Sequence, residues 1–268
     1  MAESRFRNTK IHFSSEGDGP AVVLLHGFLE DLTMWDQLAP DLARDHQVIR
    51  IDLLGHGKSK NTGPVHEMEE QAHMVRSVLS ELGIHKYIVI GHSMGGYVAL
   101  AIAELYPGEI TGLALMNSTS LADTPEKQIN RDRAIQAVKQ NHRSFVRIAI
   151  PGLFAPGNRE KFSKEIKALT QISLSMDPQG ITASLEGMKI RKDRSDIFKG
   201  ITVPKLLIIG EQDPALDLDS LLPQGQYPGV ETVVFKDGHM SHIENRSELL
   251  ASFLQFLKDI DQVYSDGK

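Results

Sequence analysis

Short runs rich in valine, isoleucine and leucine recur along the chain at residues 21–25, 47–51, 87–90, 112–116, 204–209 and 231–235. Runs this apolar and this short read as strands buried on both faces. Between the earlier ones, residues 34–44, 68–82 and 94–105 carry apolar positions at helical spacing, each ended by or near glycine or proline. Strand and helix in alternation predict an α/β fold, a mostly parallel sheet with helices on both faces. Ahead of it, residues 5–13 read as an antiparallel edge strand or hairpin, turned by Gly17-Asp18-Gly19-Pro20.

The alternation stops at residue 118. The next apolar run begins only at Pro204, a gap far longer than a βα crossover needs. Segments 125–142, 143–150, 159–176 and 178–190 keep helical periodicity, interrupted at Pro151-Gly152 and Pro156-Gly157. The expected organisation is a core domain of residues 1–118 and 204–268 with a helical cap inserted at 119–203. Ile148, Phe154, Phe162, Leu169, Met176 and Met188 are its candidates for lining a pocket, with simple core packing as the alternative.

Composition narrows the class. A chain of 268 residues with 41% hydrophobic content can bury a sizeable core. A formal charge of −6 leaves no basic field for phosphate backbones, which argues against nucleic acid as a partner. The absence of cysteine excludes a disulfide framework and fits a reducing compartment. The opening Met1-Ala2-Glu3-Ser4-Arg5-Phe6-Arg7 lacks the apolar stretch of a secretory signal, and no segment is long enough to span a membrane. A soluble, cytoplasmic protein is expected.

Candidate chemistry centres on Gly91-His92-Ser93-Met94-Gly95, between the apolar run at 87–90 and a helical stretch starting at Gly96. A strand that turns into a helix within so few residues presents its central serine on a strained corner, with small neighbours to let the chains pass. Ser93 is therefore a candidate nucleophile. A serine hydroxyl needs an imidazole to take its proton and an acid to orient that imidazole. In an open parallel sheet such groups come from loops at the carboxyl ends of strands. Asp213 follows the strand run Leu206-Leu207-Ile208-Ile209, and His239 follows Val233-Val234-Phe235, giving the chain order Ser, Asp, His.

These residues resemble the α/β-hydrolase fold family, in particular its cap-bearing serine hydrolases. The likeness covers nearly the whole chain: His26-Gly27-Phe28, Asp52-Leu53-Leu54-Gly55-His56-Gly57-Lys58-Ser59, the Ser93 turn, Gly210-Glu211-Gln212-Asp213 and Gly238-His239. The resemblance implies an eight-stranded sheet, no cofactor, Ser93 as nucleophile, Asp213 as acid and His239 as base. It also implies an oxyanion hole from the backbone N–H groups of Phe28 and Met94, with His26 bracing a loop. Met94 would offer an unsatisfied helix-start amide, and Gly27 would let the backbone swing Phe28 into position.

Other groups compete for roles. His239 and His242 form a His-x-x-His pair, but no third or fourth zinc ligand presents itself, so no metal is expected. Asp217 and Asp219 read as solvated acids of a short helix, and Asp237 lies near the right loop. His56 and His92 read as loop-fixing or pocket-adjacent. Relatives often carry proline where this chain has Arg246; Asn245 and Glu248 are expected to cap the last helix in its place. Serine rather than aspartate at the turn argues against the dehalogenase and epoxide-hydrolase branches.

The expected activity is carboxylesterase-like hydrolysis of small or medium carboxylic esters through an acyl-enzyme, with a small-molecule substrate as partner and the oligomeric state open. Relatives with the same turn include carbon–carbon bond hydrolases of dienoic acids and pyruvate-eliminating enzymes. Their carboxylate substrates call for a pocket arginine, for which Arg131, Arg133, Arg143, Arg147, Arg191 and Arg194 are candidates. Small-molecule receptors, lactonases and peroxidative enzymes also occur on the fold.

Overall fold

A computed structural model describes residues 2–266. Eight strands, β1 (Ala2–Phe6), β2 (Thr9–Glu16), β3 (Ala21–Leu25), β4 (Gln47–Ile51), β5 (Tyr87–His92), β6 (Ile110–Met116), β7 (Lys205–Gly210) and β8 (Val230–Phe235), form one sheet. Their order is β1-β2-β4-β3-β5-β6-β7-β8. Only β1 with β2 and β2 with β4 pair antiparallel, and every other pair is parallel.

Period-two alternation divides the apolar runs between two cores. Val23, Leu25, Val89, Leu113, Leu115, Leu207 and Ile209 face one core. Val22, Leu24, Ile88, Ile90, Ala114, Met116, Leu206 and Ile208 face the other. Helices α1 (Ala39–Leu42), α2 (Met68–Glu81), α3 (Met94–Leu105), α4 (Pro125–Gly152), α5 (Ser163–Leu174), α6 (Pro178–Lys189), α7 (Ser195–Gly200), α8 (Leu218–Leu221), α9 (Ser241–Glu244) and α10 (Arg246–Asp266) complete the described chain. Residues of α2 and α3 pack on the first face. Trp35, Leu38, Leu42, Phe253, Phe256 and Leu257 pack on the second. Among the described residues no helix is long and apolar enough to cross a membrane.

Three local expectations change. The hairpin starts at Ala2 and turns at Arg7 (φ 46°) and Asn8 (φ 65°), the positive pair of a tight two-residue turn, while Gly17 and Gly19 connect β2 to β3. The helix expected at 34–44 is broken: Asp31 caps a 3₁₀ turn at Leu32–Trp35, and α1 restarts with Pro40 in its first turn. Proline lacks the N–H that would have joined the two. At α10, the Asn245 amide donates to Asp237 Oδ2 at 2.7 Å, and its side-chain oxygen makes no capping bond.

The segment between β6 and β7 is largely helical. Helix α4 is interrupted at Asn141 (φ −160°, ψ 88°), whose side-chain oxygen accepts the Ser144 N–H at 3.0 Å and so restarts the helix. Helix α7 lay outside the expected segments; the buried Lys205 Nζ closes its end by donating to the carbonyls of Phe198 at 3.0 Å and Ile201 at 2.9 Å. Helix α6 lies directly on the loop after β4. A β-carbon on Gly180 would sit 2.5 Å from the Gly55 carbonyl oxygen, and one on Gly187 would overlap the carbonyl of His66. The His66 N–H donates to Ala183 O at 3.0 Å across the same seam.

Candidate active site

The parallel register aligns the carboxyl ends of β3, β5, β6, β7 and β8 along one edge of the sheet. The loops leaving them carry Phe28, Ser93, Asn117, Asp213 and His239. Ser93 stands between β5 and α3 with φ 50° and ψ −113°, a region that non-glycine residues rarely occupy. The glycines around it are required by space. A β-carbon on Gly91 would overlap the Gly95 carbonyl, one on Gly95 would overlap the carbonyl of Leu25, and one on Gly96 would overlap the Ser118 hydroxyl. The turn is held by the Ser93 N–H donating to Met116 O at 2.9 Å and by the Ser118 hydroxyl donating to Ser93 O at 2.8 Å.

His239 Nδ1 lies 2.7 Å from Asp213 Oδ2, and both side chains are buried. A proton on Nδ1 for that bond leaves Nε2 as the lone-pair nitrogen of a neutral ring. Asp213 Oδ1 accepts the N–H groups of Ala215 at 2.8 Å and Leu216 at 3.1 Å, and Asn117 Nδ2 donates to Oδ2 at 3.3 Å. Burial opposes charge on Asp213, but His239 and these donors hold its carboxyl below the usual carboxylate range. No hydrogen bond joins Ser93 Oγ to His239 Nε2 among the described residues. The N–H groups of Phe28 and Met94 likewise donate to no protein acceptor there. Gly27 serves by space rather than by torsion. A β-carbon on it would lie 2.6 Å from Glu30 Oε2 and 2.7 Å from His92 Nδ1, while the left-handed step falls on Leu29 (φ 64°).

The histidines separate by role. His26 Nδ1 faces Gly27 O at 2.8 Å and Nε2 accepts the Leu53 N–H at 2.8 Å, which ties the β3 loop to the β4 loop as a brace. His92 is buried under the turn against Glu30. His242, on α9, joins Glu30 and His92 rather than His239: ligand-type atoms of these three lie within 4.8 Å of one another. Asp217 and Asp219 are exposed, as expected of solvated acids. Asp237 accepts amide donors from Asn158 at 2.9 Å and Asn245 at 2.7 Å.

Glu244 and the end of α4 were invisible in the sequence. The His239 N–H donates to Leu153 O at 2.9 Å. Glu244 Oε1 accepts the Ala155 N–H at 3.0 Å and Asn158 Nδ2 at 2.9 Å, and its Oε2 accepts the Met240 N–H at 3.2 Å. The inserted helices are thus stitched to the loop that carries His239.

The apolar candidates of that segment also divide. Phe154, Met176 and Met188 are core, and Ile148 is 76% exposed. Phe162 and Leu169 line a groove of about 570 Å³ that reaches His242 and Ile243 and does not include Ser93 in its lining. Arg131 and Arg191 reach Asp123 at 3.0 and 2.6 Å, and Arg194 reaches Glu69 at 2.8 Å and Glu104 at 2.9 Å. Arg133, Arg143 and Arg147 are exposed.

Three buried histidines make the fold sensitive to acid. Burial lowers His56 to about 3, with His26 adding to the effect. Burial also lowers His66 to about 4 and His242 to about 4. Below the ordinary value of 6.5 the unfolded chain takes up protons that these folded rings refuse, so stability falls as pH drops toward 4. Each ring adds a slope on the order of 1 kcal/mol per pH unit inside that window. Calorimetric melting at steps from pH 7 to 5 is expected to give a steadily falling Tm; a flat profile would show that the rings are not buried neutral.

Comparisons with known proteins bear on the family. A family model described as the alpha/beta hydrolase fold matches residues 20–246. A putative 2-succinyl-6-hydroxy-2,4-cyclohexadiene-1-carboxylate synthase of Bacillus subtilis (strain 168) is 29% identical, over 87% of this chain and 90% of that protein. A pimeloyl-[acyl-carrier protein] methyl ester esterase of Vibrio parahaemolyticus is 28% identical, over 94% of this chain and 100% of that protein. The solved structure of a thermophilic esterase from Thermogutta terrifontis superposes with a TM-score of 0.89 at 29% identity, over 94% of each chain. With the family model spanning most of the chain, on a sheet of matching architecture, the protein belongs to the alpha/beta hydrolase fold family.

Proposed function

We propose that this hydrolase-fold protein is a serine esterase acting on small or medium carboxylic esters, with Ser93, His239 and Asp213 as its triad. The observation that carries the reading is the Ser93 turn, with its positive φ, set on the same sheet edge as a His239 ring already oriented by Asp213 at 2.7 Å. In the proposed reaction Ser93 Oγ adds to the ester carbonyl as its proton passes to His239 Nε2. The amides of Phe28 and Met94 receive the oxyanion. Cleavage of the C–O bond releases the alcohol with the proton from His239. Water then adds to the acyl group, gives its proton to His239, and the acid leaves as Ser93 Oγ takes that proton back. In ligand-free enzymes the serine–histidine contact is often long and closes on substrate.

Residues 119–203 are proposed to act as a cap that shapes the acyl and alcohol sites. The pairing of Arg131, Arg191 and Arg194 with carboxylates leaves those side chains neutralised, which favours a substrate without a free carboxylate. The names of the Vibrio and Thermogutta proteins, both esterases, point the same way. Incubation with a p-nitrophenyl phosphonate is expected to add one phosphonyl group, on Ser93, with activity lost in step. A rate profile over p-nitrophenyl esters of rising chain length is expected to peak at short or medium acids. Labelling elsewhere, or turnover of a dienoic acid without turnover of any ester, would overturn the assignment.

A further inference from the structure

The buried group formed by Glu30, His92 and His242 lies directly beneath the catalytic edge, and the proposed mechanism leaves it without a task. His92 Nδ1 lies 2.7 Å from Glu30 Oε2, and His92 Nε2 lies 3.0 Å from the carbonyl oxygen of His239. A neutral imidazole has one N–H and one lone pair. Here both ring nitrogens face acceptors, and a lone pair aimed at a carbonyl oxygen across 3.0 Å would repel it. Glu30 Oε2 also accepts the Gly27 N–H at 2.7 Å, the pattern of a carboxylate rather than of a carboxylic acid. Both side chains are 1% exposed, so a charge on one requires the opposite charge on the other.

We propose that His92 is a doubly protonated imidazolium, paired with the Glu30 carboxylate, and that its Nε2–H positions the catalytic histidine by holding the carbonyl of His239. This rests on His239 being the general base. His92 is a positioning residue: it grips the backbone of His239, and the two ring centroids are 5.0 Å apart.

The surrounding charges are compatible with it. Around His92 stand Glu30, the rings of His239 and His242, and Asp213, while His26 acts on Glu30 from the β3 loop. Burial alone would neutralise both partners. Mutual attraction wins, raising His92 above the ordinary imidazole range and bringing Glu30 down to about 2. Burial keeps His242 neutral at the edge of the group. A metal ion among these three groups would have to displace a proton from His92.

The test reads protons and activity separately. In ¹⁵N-histidine-labelled protein, long-range ¹H–¹⁵N spectra are expected to show both His92 nitrogens protonated from pH 6 to 8, and one of them unprotonated in Glu30→Gln. One unprotonated His92 nitrogen in the wild-type protein would overturn the charge assignment whatever the fate of the esterase reading. On a p-nitrophenyl ester, Glu30→Gln and His92→Ala are expected to lower kcat by about 10- to 100-fold with KM little changed, the cost of a displaced catalytic group. Unchanged kcat in both variants would overturn the positioning role. Loss of phosphonate labelling at Ser93 in the wild-type protein would instead remove the esterase reading and leave the spectra standing.

Discussion

Replacing Ser93 by alanine is expected to lower kcat on a p-nitrophenyl ester by roughly 10³- to 10⁶-fold, by analogy with other triads. That corresponds to about 4 to 8 kcal/mol of lost transition-state stabilisation. The residual rate would come from the Phe28 and Met94 amides and from binding, neither of which depends on the hydroxyl. Stability should move little. Alanine meets the same backbone strain as serine at φ 50°, and the two bonds that hold the turn use the Ser93 backbone only. Steady-state kinetics beside a melting curve therefore separate a chemical role from a structural one. A variant that melts like the wild type and turns over like it would remove Ser93 from the mechanism. His239→Ala should cost a similar factor, and the double variant little more, since the two groups act as a unit.

Gly187→Ala is the largest expected stability loss. Its β-carbon would overlap the His66 carbonyl oxygen and stand 3.2 Å from the Glu67 nitrogen, both backbone atoms with no rotamer to yield. Helix α6 cannot back away without weakening the His66 N–H bond to Ala183 O, made at 3.0 Å on the same seam. A cost of about 3 kcal/mol or more follows from overpacking at a site that cannot relax. Gly152→Ala is the control: nothing stands within 4 Å of its added β-carbon, and alanine is the better helix former. Calorimetry should record a large fall in Tm for the first and little change or a small gain for the second. Equal melting temperatures would mean that α6 does not sit on the loop after β4 as described.

The central strands were legible because burial on both faces leaves an uninterrupted apolar signature, and their edges fell within a few residues of 21–25 and 87–90. Ser93, Asp213 and His239 each follow such a run directly, so reading the strands located the loops that carry these candidates. What escaped were contacts between residues with no local pattern in common. Glu30 and His92 stand 62 positions apart, and Ala155 and Glu244 stand 89 apart. Glu30 carried a weak hint, as an acid shortly after a strand end where the chain turns inward. The helix expected at 34–44 failed for a different reason: its apolar spacing was real, but Pro40 outweighed it. At Asn245 the residue type suited a helix cap, and the Asp237 carboxylate took the side chain instead.

The joint between Leu153 and His239 bears on how such enzymes are re-engineered. A designer wishing to change specificity would naturally transplant residues 119–203 from a relative as a module, leaving the sheet and its proposed triad untouched. Here the donor segment would have to bring its own match for the Leu153 carbonyl, the Ala155 N–H and the Asn158 amide, because His239 and Glu244 await those partners on the recipient side. A chimera cut at the β6 and β7 boundaries alone would set foreign helices against a misaligned His239. One that exchanges residues 237–244 together with the helices keeps the joint intact.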